Sequence, residues 1–79
     1  MIADLRNELN GVFDPAIAFQ VNWQTLCSLK DRGAKAEEVQ STLEAMFEET
    51  DDECAKERIA DLLDCVVGWC APPYAVWKD

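Results

Sequence analysis

The chain predicts an all-α fold, a small bundle of about four helices with its C-terminal Pro-Pro tail packed back on it. Apolar residues recur at three- and four-residue spacing from Ile2 to Val66, no alternating β pattern interrupts them, and every connection between periodic stretches is short. Residues 1–79 are expected to form a single helical domain. At 49% apolar composition it has enough hydrophobic side chains for a core without a metal or a disulfide staple.

Ile2, Leu5 and Leu9 place a first helix over about residues 2–10, where Asn10-Gly11 tolerates the left-handed backbone that ends it. Asp14-Pro15 then opens a second element, an aspartate cap before a proline that needs no N–H in the first turn. Asn22 reads as a further cap, so a single turn precedes a helix over about residues 23–32, carrying Trp23, Leu26, Cys27 and Lys30. Gly33, following Lys30 and Arg32, is its stop.

A third helix covers about residues 36–49, with Val39, Leu43, Met46 and Phe47 on one stripe. No glycine or proline separates it from the next periodic stretch, so the phase of the apolar residues decides whether it ends. At about 100° per residue, the stripe of Leu43 and Phe47 is out of step with that of Ile59, Leu62, Leu63 and Val66. A break near Thr50 restores both to one core, and Thr50-Asp51-Asp52-Glu53 has the form of a capping box. A fourth helix then runs over about residues 51–69. Pro72-Pro73 holds the backbone extended beyond it, and Tyr74, Val76 and Trp77 make the tail apolar enough to lie across the bundle.

Sixteen Asp and Glu against seven Lys and Arg give a net charge of −9. Such a balance disfavours nucleic acid and anionic membranes and favours a basic protein partner. Histidine is absent, which removes the usual general base and the commonest metal ligand, so no enzymatic activity and no cofactor are expected. Cys27, Cys54, Cys65 and Cys70 form no Cys-x-x-Cys pair and no zinc-type spacing, and read as reduced, buried thiols. The acidic run around Asp51 lacks the glycine and the spaced oxygens of a calcium loop. Asp4, Arg6 and Glu8 interrupt any signal-peptide core, and no stretch approaches the roughly 18 apolar residues of a membrane span, so a cytoplasmic protein is expected.

The acid is unevenly explained by helix chemistry. Asp51, Asp52 and Glu53 suit a helix N-terminus, and Asp52 can also pair with Lys56. Glu44, Glu48 and Glu49 instead crowd a helix C-terminus, where the dipole disfavours each by about 0.3–1 kcal/mol. Glu53, Glu57 and Asp61 repeat every four residues, at roughly 0.2–0.5 kcal/mol per like-charged pair, offset only by Arg58 near Asp61. A basic partner would relieve this repulsion, with Glu44, Glu48, Glu57 and Asp61 as candidate binding residues. Tyr74 and Trp77 are candidate aromatic anchors beside them, whereas Trp23 and Trp69 fall on apolar helical faces and read as core.

A short acidic helical chain carrying Glu37-Glu38-Val39, an acidic helix that runs into Val66-Val67-Gly68-Trp69-Cys70, and a Pro73-Tyr74-Ala75-Val76-Trp77 tail resembles the small immunity proteins that accompany bacterial toxins of the contact-dependent and bacteriocin kinds. The Tyr-Tyr-Pro signature of the colicin-nuclease immunity proteins is missing, so the candidate residues are taken from the charge pattern alone. The resemblance implies neutralisation of a cognate toxin, for instance a nuclease with a basic active site. Two other readings use the same features: a phage-type inhibitor or nucleic-acid mimic such as an anti-CRISPR protein, and a structural helical homodimer completed by Tyr74 and Trp77.

Overall fold

A computed structural model of the chain describes residues 4–67 and 76–77. Four α-helices and no strand occur among them: α1 (Leu5–Glu8), α2 (Phe19–Asp31), α3 (Ala36–Glu49) and α4 (Glu53–Val67). Asp4 caps α1 by accepting the Asn7 N–H at 3.0 Å, so the helix starts later than the apolar spacing predicts. It also ends earlier, at Glu8, because the chain tightens into a 3₁₀ turn over Asn10–Phe13 that carries Leu9 and Val12 into the core.

Gly11 lies inside that turn and does not act as a left-handed stop. Its lack of a side chain matters for another reason: a Cβ there would stand 2.8 Å from Asn22 Oδ1 and 3.3 Å from Ile17 Cδ1. Asn22 is correspondingly not a cap. Ala18 is the last extended residue, α2 begins at Phe19, and Asn22 points inward at 5% exposure against Gly11. Its Nδ2 donates to no acceptor among the described residues. Asp14 does cap locally, accepting the Ala16 N–H at 2.9 Å, but it closes a turn over residues 14–17 and starts no helix.

The end of α2 matches expectation in detail. Gly33 has φ +97°, and the N–H groups of Gly33 and Ala34 donate to the carbonyls of Lys30 at 3.0 Å and Leu29 at 2.9 Å, the paired bonds of a Schellman motif. A Cβ at Gly33 would meet nothing within 4 Å, so only backbone strain opposes a side chain there. Gly33→Ala is expected to cost about 1–2 kcal/mol, read as a lower urea midpoint with an unchanged slope; an unshifted midpoint would mean that the turn relaxes out of the left-handed region.

Thr50 is extended (φ −94°, ψ 143°) and separates α3 from α4, as the phase break requires. The cap chemistry differs from the expected box. Thr50 Oγ1 accepts from the Asp52 N–H, only two residues on, and Asp52 Oδ1 accepts the Cys54 N–H at 2.9 Å, which makes Asp52 the residue that opens α4. The short link turns α3 and α4 into an antiparallel pair with the most extensive contact between helices among the described residues. Against it rest α1 on the α3 side, and α2 with the 3₁₀ turn on the α4 side.

Leu26, Leu29, Val39, Leu43, Met46, Ile59 and Leu62 fill the space between them. Val76 and Trp77 lie back on this core. The Val76 N–H donates to the Cys65 carbonyl at 3.2 Å, Lys30 Nζ donates to the Val76 carbonyl at 2.8 Å, and Trp77 Nε1 donates to the Ala34 carbonyl at 3.1 Å. The tail thus ties the end of α2 to the end of α4. Trp69, Cys70, the two prolines and Tyr74 lie outside the described residues. Of the cysteines, Cys65 is buried and Cys27 half-buried; Cys54 is exposed at the start of α4, contrary to its reading as a buried thiol. No described helix is long and apolar enough to cross a membrane.

Candidate functional site

Long cationic side chains decide what the acidic stretch becomes. The chain has seven Lys and Arg, of which Lys78 lies outside the described residues, leaving six. Arg6 reaches from α1 to grip Glu49 with both terminal guanidinium nitrogens, Nη1 donating at 2.8 Å, and Arg32 pairs with Glu8 at 2.9 Å. Lys30 holds the tail carbonyl. Arg58 donates through Nε to the Val12 carbonyl at 2.6 Å, and the Lys56 ammonium stands over the Phe47 ring, 5.1 Å from its centroid.

Two expectations change as a result: Arg58 fastens the 3₁₀ turn and does not offset Asp61, and Lys56 covers Phe47 and does not pair with Asp52. Lys35, the sixth, stands at the N-terminal end of α3, far along the helix from Glu44 and Glu48. Each engaged cation except Lys56 joins segments distant in sequence. The bundle is braced by its positive charges, and most of its negative ones are left to solvent.

Glu49 is the exception among the crowded glutamates of α3. The hydrogen bond from Arg6 holds its carboxyl below the usual glutamate range, so it has a partner already. Glu44 and Glu48 make no ion pair with any described cation. They line one side of an open groove of about 470 Å³ between α3 and α4, with Asp64 opposite and Phe47, Ala60 and Leu63 as its apolar floor.

Glu57 and Asp61 belong to a different surface. At 100° per residue they are displaced round α4 from Ala60 and Leu63, away from α3. Asp64 lies between the groove and this outer face. Partial desolvation of the exposed Asp61 carboxyl, then repulsion from Asp64 and from Glu57, raises its pKa above the ordinary aspartate value. An exposed group gives up little water, so the two neighbouring charges are the part of this shift that substitution can test.

A carboxyl whose pKa is raised on folding binds its proton more tightly in the native state. Its charge therefore costs stability as pH rises through the raised value, and costs nothing below the unfolded value. Asp61→Asn is expected to stabilise the fold at about pH 7 by roughly 0.2–0.5 kcal/mol per relieved pair and to leave it unchanged near pH 3. Equal midpoints for the two proteins at both pH values would show that the three carboxylates do not interact.

The structure thus brings Glu44 and Glu48 together, sets Glu57 and Asp61 on an adjoining face, and commits Trp77 to the fold through its half-buried indole and its bond to Ala34. Tyr74 lies outside the described residues. The charge pattern alone does not single out Asp64, Ala60 and Leu63. The signal that finds them is the small Ala60 three and four residues before Leu63 and Asp64, which leaves a gap on the α4 side facing Phe47. Among the described residues no group of three His, Cys, Asp or Glu is placed to hold a metal ion. Compared with models of known families, with curated proteins and with solved structures, the chain finds no match in any of the three.

Proposed function

We propose that this chain is an immunity-type inhibitor that binds and neutralises a cognate bacterial toxin with a basic surface, such as a nuclease active site, through the acidic face of α3 and α4. The observation that carries the reading is the groove rimmed by Glu44, Glu48 and Asp64, whose carboxylates no described cation pairs with, while four of the six described cations are engaged elsewhere and Lys56 stands over Phe47 at the end of the groove. Residues 44–64 contain nine carboxylates against Lys56 and Arg58, a local charge of −7 (2 − 9). That density steers a basic protein into contact and raises the association rate.

The apolar floor favours this reading over a nucleic-acid mimic. A phosphate mimic needs carboxylates at the spacing of a backbone and has no use for Phe47, Ala60 and Leu63 between them, whereas a protein segment needs both an apolar anchor and flanking charge. This reading predicts a toxin domain in the adjacent reading frame, and co-expression of the chain with the product of that frame is expected to restore growth and to yield a complex that co-purifies. Growth arrest in cells that contain the folded chain would sink the proposal.

A further inference from the structure

We infer that the groove between α3 and α4 takes a basic amphipathic helix of the partner, with apolar residues of that helix on Phe47, Ala60 and Leu63 and its lysines or arginines against Glu44, Glu48 and Asp64. The inference deepens the function proposed above and rests on it only for the partner's source.

Three features of the groove define the occupant. Its walls are two antiparallel helices, so the space between them runs parallel to both, and a third helix fills such a space with residues at i, i+3 and i+4. Acid stands on both rims, from α3 on one side and from α4 on the other, and an occupant that satisfies both must carry cations on each flank of an apolar stripe. An extended basic strand, whose side chains alternate between two faces, presents charge and apolar groups to opposite sides.

The third feature is the direction in which the groove is open. Lys56 closes one end by covering the Phe47 ring. Toward the other end the same strip of α4 continues to Val67, a large apolar side chain left 42% exposed. Ala60 to Val67 spans about 10 Å of helix rise, enough for two turns of an occupant.

The test uses the full chain and two synthetic peptides of identical Leu, Ala and Lys composition. In one the leucines fall on a single helical face, and in the other they are scattered round the helix. The patterned peptide is expected to bind roughly tenfold more tightly or better, with amide shift changes concentrated in residues 44–48 and 60–67.

Ala60→Gln, which fills the floor from a half-buried position, is expected to remove that preference while leaving the urea midpoint in place. Equal binding of the two peptides would overturn the inference, as would shift changes centred on Glu57 and Asp61. Growth rescue in co-expression reads the other claim. Rescue without preference for the patterned peptide removes the helix from the groove and keeps the immunity function; preference without rescue does the reverse.

Discussion

Truncating Leu43 to alanine is expected to lower the stability of the bundle by about 2–5 kcal/mol, enough to leave a large unfolded fraction under mild heating. Leu43 is fully buried on α3, whose packing on α4 is the most extensive contact between helices among the described residues. Removing its isopropyl group loses the transfer energy of the buried methyl groups and leaves a void that two closely packed helices close only in part. A domain of 79 residues has a total stability on the order of 4–12 kcal/mol, so one such void consumes a large share of it.

Val67→Ala is the matched control, since it removes apolar carbon from a side chain that is already largely exposed. It is expected to change stability by no more than about 0.5 kcal/mol. Urea unfolding monitored by circular dichroism separates the two. A Leu43→Ala midpoint as little shifted as that of Val67→Ala would mean that the α3 and α4 contact is not where the fold is held.

Local chemistry makes the helix ends readable from sequence, and reach makes the charge network unreadable. The break at Thr50 comes from the phase of Leu43 and Phe47 against Ile59 and Leu62, and the stop at Gly33 comes from a backbone angle that glycine adopts without strain. The first needs only the helical period carried along about twenty residues, and the second a single position.

The start of α2 misleads because Asn22 has the chemistry of a cap, and only the fit of its amide against Gly11, eleven positions earlier in the chain, puts it inside the helix. Arg6 and Arg58 lie 43 and 46 residues from their acceptors, Glu49 and Val12, so no spacing rule along one helix could pair them. By sequence Trp77 suits a tail pin as well as a partner anchor; its bond to Ala34 lies 43 residues away and is equally invisible in a local pattern. The candidate site is half legible for the same reason. Glu44 and Glu48 stand out by their unfavourable place on the α3 dipole, while Asp64 on the opposite rim is defined only by how α4 docks.

Replacing both Glu44 and Glu48 by lysine is expected to weaken partner binding by about 10- to 100-fold while leaving the fold intact or slightly more stable. The two effects have opposite signs because they arise from different parts of the same field. For binding, two carboxylates on one rim of the groove become cations that repel a basic partner, so association slows and loses its acceleration at low salt. For folding, both positions lie in the last turns of α3, where a cation suits the helix dipole by about 0.3–1 kcal/mol each. Neither glutamate has an ion pair to lose among the described residues.

Glu49 is unsuitable for this test, since its reversal would break the grip of Arg6 and destabilise the packing of α1 on α3. Glu57→Lys with Asp61→Lys alters charge by the same amount on the outer face of α4 and is expected to slow association without abolishing the preference for the groove. Titration of each folded variant against the co-purified partner at low and high salt gives both numbers. Undiminished binding by the Glu44→Lys, Glu48→Lys protein would remove the acidic rim from function and leave its repulsion without a purpose, whereas weaker binding together with a higher urea midpoint would show that the uncompensated charge is kept for the partner at the expense of the fold.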